Sequence, residues 1–152
     1  MSEQELPEEV PSLMVPMQGR PWLIPNILVA EVIPLRQPER PGKGAEWLLG
    51  WLDWRDEEIP LISFERLNDS GAVHIGEDAR LAVLNTVTDK LPFYAVVIQG
   101  IPRQLRVARN DPVEEPVETG PAELAYVQLG GELATLPDLD AIERALVSLQ
   151  SV

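Results

Sequence analysis

The sequence predicts a mainly β fold, on two observations. Short apolar runs separated by turn-forming residues recur along the 152-residue chain, beginning with L-M-V-P-M and W-L-I-P-N-I-L-V-A-E-V-I, and this spacing is typical of strands and hairpins. The chain also has 15 prolines, roughly twice the average usage, and most of them fall where a strand should end. We therefore expect many short strands with proline-rich connections.

Local composition predicts the elements along the chain. Residues 1–12 contain four glutamates and two prolines but few large apolar groups, which predicts a disordered acidic tail before order begins near Leu13. The segment 34–44 has three prolines and two glycines, so we expect a loop there. The acidic, proline-rich stretch 110–122 is predicted to be a long exposed loop. Further strands are predicted at 58–64, 79–86, 93–99, 103–107 and 125–129.

Two segments are predicted to be helical. Residues 64–68 can form a short helical turn. Residues 139–149 place four apolar side chains at helical spacing. These are Ile142, Ala145, Leu146 and Leu149. Asp140 followed by Glu143 fits a capping box, and acidic side chains are favoured at a helix N-terminus. A C-terminal helix is therefore expected.

Composition limits the class of protein. Hydrophobic residues make up 45% of the chain, which suits one globular domain over residues 13–150 that buries roughly 68–70% of the surface its unfolded form exposes. No run approaches the ~20 consecutive apolar residues of a membrane span, and the acidic start lacks the basic and apolar parts of a signal peptide. We therefore expect a cytoplasmic protein without membrane insertion.

Cysteine content and charge exclude several functions. The chain has no cysteine, so disulfides, thiolate nucleophiles and Cys-based metal sites are excluded. The net charge of -13 argues against nucleic acid as a partner, because that affinity depends on Lys and Arg at phosphates. The acidic surface either serves solubility or steers the protein towards basic partners.

No residue pattern points to catalysis, to a metal or to a cofactor. His74 is the only histidine and has no metal-ligand spacing around it, while Ser63 and Ser70 lie outside a G-x-S-x-G motif. The acids at 53–58 leave one enzymatic alternative, a carboxylate pair whose separated pKa values would serve as acid and base in a hydrolase.

The densest basic spot consists of Arg103, Arg106 and Arg109. Because side chains alternate faces along a strand, a three-residue spacing need not form one patch. The acids at 111–118 can neutralise these arginines. A contact to an acidic partner is the alternative.

Trp47, Trp51, Trp54 and Arg55 lie within nine residues, without a catalytic residue type beside them. The tryptophans suit either recognition or the core. Glu31 interrupts an apolar strand and Arg55 ends another, and a guanidinium near a carboxylate with an indole beside it makes a partly shielded contact. If the two residues pair, they brace two strands or mark a recognition face. The alternative is two unrelated surface charges.

The order of these pieces resembles the CheW-like domain, the coupling module of bacterial chemosensory arrays. In that family a strand ending V-x-E-I leads through a loop to G-V-x-N-x-R-G and then to an I-P-V-I-D-L strand. The counterparts here are V-A-E-V from Val29, G-W-L-D-W-R-D from Gly50 and I-P-L-I-S-F from Ile59. The resemblance covers about residues 13–150. Asp56 stands where the family has a turn glycine, the residue that adopts positive φ at least cost.

The resemblance implies a fold and a function. The fold is two intertwined five-stranded SH3-like barrels, divided near residues 79–81, with a short C-terminal helix and no active site. The function is that of an adaptor between the cytoplasmic tip of a methyl-accepting receptor and the regulatory domain of a CheA-like histidine kinase. The tryptophans indicate a divergent branch, similar to the ChpC-like adaptors of type IV pilus chemosensory systems.

The predicted protein-binding residues come from two sources. Val29, Glu31 and Arg55 match family positions linked to receptor coupling, whereas tryptophans are added from composition. The full set is Val29, Glu31, Gly50, Trp51, Trp54, Arg55, Gly100 and Ile101. A carboxylate-based hydrolase and an SH3-like peptide-binding scaffold are the alternatives.

Overall fold

The computed structural model describes residues 9–108 and 111–150. Within these residues, twelve strands form two six-stranded sheets, and a short helix and a C-terminal helix complete the fold. The predicted mainly β class is confirmed. All paired strands are antiparallel except β12 with β2 and β6 with β8.

The first sheet has the strand order β10-β11-β12-β2-β1-β9. Its strands are β1 (Glu9–Val15), β2 (Trp22–Pro25), β9 (Arg103–Ala108), β10 (Val113–Glu115), β11 (Glu123–Leu129) and β12 (Glu132–Pro137). Leu13 of β1 lies opposite Ile24 of β2 on one side and Gln104 of β9 on the other. This sheet therefore joins strands from both ends of the chain.

The second sheet has the strand order β3-β7-β8-β6-β5-β4. Its strands are β3 (Val29–Pro34), β4 (Arg40–Pro41), β5 (Leu48–Trp54), β6 (Glu57–Ile62), β7 (Arg80–Asn85) and β8 (Phe93–Ile98). We expected five strands in each half. Each sheet has a sixth because a very short strand lies at its edge, β4 in the second sheet and β10 in the first.

Both sheets bury apolar side chains on both faces. In β8, Tyr94, Val96 and Ile98 enter a central cluster that also contains side chains of the first sheet, whereas Ala95 and Val97 enter a cluster confined to the second sheet. Successive side chains of a strand point to opposite faces, which explains this division. The central cluster therefore binds the two sheets to each other.

The C-terminal helix α2 (Leu139–Gln150) packs Ile142 and Leu146 into the central cluster, and the predicted helix is confirmed. Its capping differs from the prediction. Asp138 Oδ1 accepts a hydrogen bond from the Ala141 N–H at 3.0 Å, so the cap is Asp138. Glu143 cannot complete a capping box because its carboxylate instead accepts hydrogen bonds from the backbone N–H groups of residues 87 and 88.

The short helix α1 (Phe64–Leu67) confirms the predicted helical turn. The Ser63 hydroxyl accepts a hydrogen bond from the Arg66 N–H at 3.3 Å and so caps its first turn. A T-shaped contact between Phe64 and Trp22, with ring centroids 5.0 Å apart, fixes the helix against β2. Through this contact α1 links the two sheets.

Three of the predicted boundaries differ from the structure. Strand β1 begins at Glu9, and residues 9–12 pair with β9, so these residues are not part of a disordered tail; residues 1–8 lie outside the described part of the chain. Strands β4 and β10 lie within the segments 34–44 and 110–122 that we predicted as loops. The strands on either side of residues 79–81 belong to the same sheet, and the predicted division into two barrel subdomains near these residues stays a prediction.

Candidate protein-binding site

A two-residue turn at the end of the β5–β6 hairpin places Arg55 at the surface. Trp54 pairs with Glu57 across the hairpin, and Arg55 and Asp56 connect the strands with φ of 49° and 65°. Positive φ at both central residues is the requirement of a type I′ turn, which matches the twist of the flanking strands and usually contains Asn-Gly. The hairpin keeps this geometry without a glycine.

Arg55 meets Glu31, which is the first of the two alternatives that the sequence left open. An Arg55 Nη2 atom lies 3.2 Å from Glu31 Oε1, and the same oxygen accepts a hydrogen bond from Trp54 Nε1 at 3.0 Å. The guanidinium also lies over the Trp54 indole, 4.8 Å from the ring centroid. Because 65% of the Arg55 side chain is exposed, the ion pair contributes little to stability. The guanidinium charge is therefore available to a partner.

A β-bulge in β3 directs Val29 and Glu31 to different faces. The pairing of β3 with β7 shifts between these two residues, and Ala30 packs against the second-sheet cluster while Val29 packs against the central cluster. In a regular strand Val29 and Glu31 would share a face, but the extra residue of a bulge breaks the alternation. Two predicted binding residues close in sequence therefore serve different surfaces.

Val29 and Ile101 line one groove of about 500 Å³ between the two sheets. Strands β3 and β7 form one wall, and β1 with the segment that leads into β9 forms the other. Ile101 is 64% exposed. The remaining lining residues are Leu13, Asn26, Val32, Ile33, Pro34, Arg80, Pro102 and Gln104. Sequence reasoning missed these residues because the walls come from strands distant in sequence.

Comparison with known proteins identifies the family. Residues 11–146 match the CheW-like domain. The chain belongs to the CheW-like domain family. Its fold is similar to that of the scaffolding protein TtCheW from Thermoanaerobacter tengcongensis, with a TM-score of 0.73 and 13% sequence identity over 88% of this chain and 86% of that one. No curated protein matches the sequence. The predicted CheW-like resemblance and fold class are thus confirmed.

The tryptophans of this CheW-like domain belong largely to its core. Trp54 is only 6% exposed and packs edge-on against Phe93, with ring centroids 4.8 Å apart. It offers little surface to a partner, which favours the core alternative for Trp54, and its indole contacts Arg55 and Glu31. Trp47 and Trp51 are half-buried against the central cluster, and the Arg40 guanidinium covers the Trp51 ring at 5.3 Å.

The two predicted glycines differ in what they do for the CheW-like fold. A Cβ atom at Gly50 would lie 2.4 Å from the Arg40 carbonyl oxygen and 2.5 Å from the Pro38 ring, so only glycine lets the 38–40 segment approach β5 this closely. A Cβ at Gly100 would meet Pro16 at 3.5 Å, an ordinary contact. Gly50 is therefore structural, and Gly100 is buried beside the exposed Ile101.

The acids at the hairpin do not form an acid–base pair. Asp53, Asp56, Glu57 and Glu58 are exposed, and bidentate hydrogen bonds of 2.7 Å from Arg40 lower the pKa of Glu58. A proton donor at neutral pH needs a raised pKa, so this environment acts against the hydrolase alternative.

Residues 9–108 and 111–150 contain no group of three or more His, Asp or Glu residues placed to hold a metal ion. Neither of the described helices has the length and apolar character needed to cross a membrane.

The basic spot is neutralised differently from the prediction. Arg103 pairs with Glu132 at 2.9 Å across the first sheet, not with the acids at 111–118. β9 lies beside β1 at one edge of the sheet and β10 lies at the other, which places β12 rather than β10 within reach of Arg103. Arg109 lies outside the described residues.

Proposed function

We propose that this protein is a non-catalytic adaptor that couples chemoreceptors to a CheA-like histidine kinase in a bacterial chemosensory array. The family match over residues 11–146 supports this proposal, as does the fold shared with a solved scaffolding protein. The cytoplasm is the compartment in which receptor tips and such a kinase meet, and we place the adaptor there. The tryptophan-rich hairpin favours the ChpC-like branch and control of type IV pilus twitching motility.

The groove between the sheets is the observation that carries the proposal. It brings together Val29 and Ile101, which the sequence placed among the binding residues. An amphipathic helix binds by laying its apolar face into such a groove, and a receptor tip is a helical coiled coil. Polar side chains at the rim, Asn26, Arg80 and Gln104, can contact the polar flanks of that helix. We assign this groove to the receptor.

The hairpin is a second contact surface. Arg55 is largely exposed and held over Trp54 by the turn and by Glu31, so little side-chain entropy would be lost when a partner carboxylate pairs with it. Gly50 and Trp51 shape the strand beneath, and Gly100 lies beside Ile101 at the groove. Contact from the kinase regulatory domain or from the receptor at this surface would depend on Arg55.

Binding to the receptor tip and to the kinase regulatory domain tests the proposal. We expect both to bind the full chain in isothermal titration at low salt, and Arg55→Ala to weaken at least one complex about tenfold. Arg144→Ala is the matched control because its side chain is 68% exposed and paired within α2; its affinities should equal those of the wild type. Loss of twitching motility in a deletion strain, rather than of swimming, tests the pilus branch.

Two results would overturn the proposal or part of it. Failure of the wild-type chain to bind either partner at low salt removes the adaptor function. Unfolding of Arg55→Ala in a thermal melt would make Arg55 a structural brace, since loss of an exposed ion pair should cost no more than about 1 kcal/mol. Unchanged affinity of a folded Arg55→Ala variant for both partners would remove the hairpin from the binding surface.

A further inference from the structure

A polar cavity of about 240 Å³ lies on a part of the molecule that the proposed function does not use. It opens between α1, the β1–β2 connection and the β11–β12 hairpin. The residues that matter for its chemistry are Gln18, Arg20, Phe64, Glu65, Glu123 and Tyr126. None of them lines the groove or contacts the Glu31–Arg55 pair.

Glu65 is a buried carboxylate without a cation. The residue is 7% exposed. Its Oε2 atom accepts one hydrogen bond, from the Gln18 N–H at 3.2 Å, while Oε1 accepts none and the side chain forms no ion pair with any residue in 9–108 or 111–150. Among the described residues the fully buried side-chain atoms without a partner are limited to Trp22 Nε1, so Glu65 Oε1 is accessible from the cavity that it lines. Helix capping does not explain Glu65, because Ser63 already caps α1.

Glu123 adds a second carboxylate that is fixed in place. Its Oε1 accepts hydrogen bonds from the Gly120 N–H at 2.8 Å and the Tyr126 hydroxyl at 2.5 Å, and its Oε2 accepts one from Thr135 at 3.5 Å. The bond from Tyr126 raises the pKa of that phenol. Glu123 therefore contributes negative charge to the cavity in a constant position.

At the mouth of the cavity, the side chain of Arg20 already occupies a position that suits a cation. The Arg20 guanidinium lies 4.5 Å from the centroid of the Tyr126 ring, a cation–π distance. Among the described residues, Arg20 forms no ion pair with either carboxylate. Two carboxylates against one arginine leave the cavity with an excess of negative charge, while the Tyr126 and Phe64 rings supply apolar surface beside it.

We propose that this cavity binds an alkyl guanidinium or alkyl ammonium group, with Glu65 Oε1 as its ion-pair partner. The volume is below the ~300 Å³ at which pockets for drug-sized ligands begin, and it suits one side-chain-sized group. Such a group comes from two sources, a free small cation or an Arg or Lys side chain of a partner protein. The net charge of -13 favours the approach of either.

Titration of the full chain with two cationic probes tests the proposal and separates the sources. The probes are n-butylguanidinium and the blocked tripeptide acetyl-Gly-Arg-Gly-amide, and the neutral control is n-butylurea. We expect saturable shifts of the Glu65 and Tyr126 amide resonances at about millimolar concentration with the cations and none with the urea. Tighter binding of the peptide points to a partner side chain, and the reverse order points to a free cation.

Variants assign the binding to the cavity. Glu65→Gln keeps an acceptor for the Gln18 N–H but removes the charge, so cation affinity should fall about tenfold or more. Arg20→Gln removes a competing cation and should raise affinity about two- to fivefold. Glu46→Gln is the matched control because it removes one exposed carboxylate outside the cavity; it should leave affinity unchanged.

Several outcomes would overturn the assignment. These are no saturation by either cation up to about 50 mM, equal binding of n-butylurea, or unchanged affinity in a folded Glu65→Gln variant. If Glu65→Gln fails to fold, Arg20→Gln still decides the matter because Arg20 is exposed. Unchanged or lower affinity in Arg20→Gln would then exclude electrostatic recognition of a cation in this cavity.

Discussion

Replacing Glu31 by alanine should destabilise the fold more than replacing it by glutamine. Both changes remove the ion pair with the exposed Arg55, but glutamine can still accept the hydrogen bond from Trp54 Nε1, which is 3.0 Å from Glu31 Oε1. Trp54 is a core residue, so its N–H group has few other partners. The difference between the two variants therefore measures the hydrogen bond alone.

The structure sets the expected magnitudes. Loss of an exposed ion pair costs about 0.2–1 kcal/mol, and this is the whole cost expected for Glu31→Gln. A buried donor left without an acceptor costs about 1–3 kcal/mol. Since the Glu31 side chain is 40% exposed, water can reach part of the site in Glu31→Ala, and we expect an additional loss in the lower part of that range, about 1–2 kcal/mol.

Urea unfolding followed by tryptophan fluorescence measures these differences. With a slope of about 2 kcal/mol per molar urea, the midpoint of Glu31→Ala should lie about 0.5–1 M below that of Glu31→Gln. Trp54→Phe removes the donor. In a Trp54→Phe background, followed by circular dichroism, the alanine and glutamine variants should therefore become nearly equal, which corresponds to a coupling free energy of about 1–2 kcal/mol.

Two observations would refute this reasoning. Equal midpoints for Glu31→Ala and Glu31→Gln in the wild-type background would show that the Trp54 N–H does not depend on Glu31. A difference that persists in Trp54→Phe would assign the cost to some other contact of the Glu31 side chain.

Two further predictions concern the turn and a buried phenol. Asp56→Gly should stabilise the protein by about 0.5–1 kcal/mol, because Asp56 has a φ of 65° that glycine adopts without strain; the urea midpoint should rise, and Asp56→Ala should give no gain. Burial, with a smaller contribution from Glu143, raises the pKa of Tyr94. Unfolded tyrosine ionises near its ordinary pKa of about 10, so Tyr94 contributes stability below about pH 10 that is lost progressively as the pH rises further. Tyr94→Phe should therefore flatten the fall of the melting temperature above about pH 10.

Strands with strong local signals could be predicted from the sequence. The apolar runs of β6, β7, β8 and β11 and the helical spacing of α2 appear in the structure close to their predicted bounds. Side-chain patterns identify these elements because their burial depends on apolar residues at fixed periods. The pairing of Glu31 with Arg55 was one of two alternatives in the sequence, because a charge that interrupts an apolar strand can either pair or remain in solvent.

Elements that depend on backbone pairing were not predictable in this way. The side chains of residues 9–11 are exposed, so their composition resembles that of a disordered tail. Their backbone nevertheless pairs with β9. The acidic strand β10 likewise forms through backbone pairing with β11, which its side chains do not reveal. The role of Glu143 depends on where the β7–β8 connection meets α2. The burial of Trp54 follows from Phe93, far away in sequence.

Along the chain, the strands of the second sheet lie between the first two and the last four strands of the first sheet. This order has a consequence for folding. All six strands of the second sheet lie between residues 29 and 98, whereas β1 must pair with β9 and β2 with β12 across that whole interval. Closing such long loops costs conformational entropy, and the strand pairing that offsets this cost forms only after the loop has closed. We therefore expect the second sheet to form early and the first sheet to close last: ribosome-bound chains that end before β9 would leave one edge of β1 unpaired, and chains that end before β12 would leave one edge of β2 unpaired.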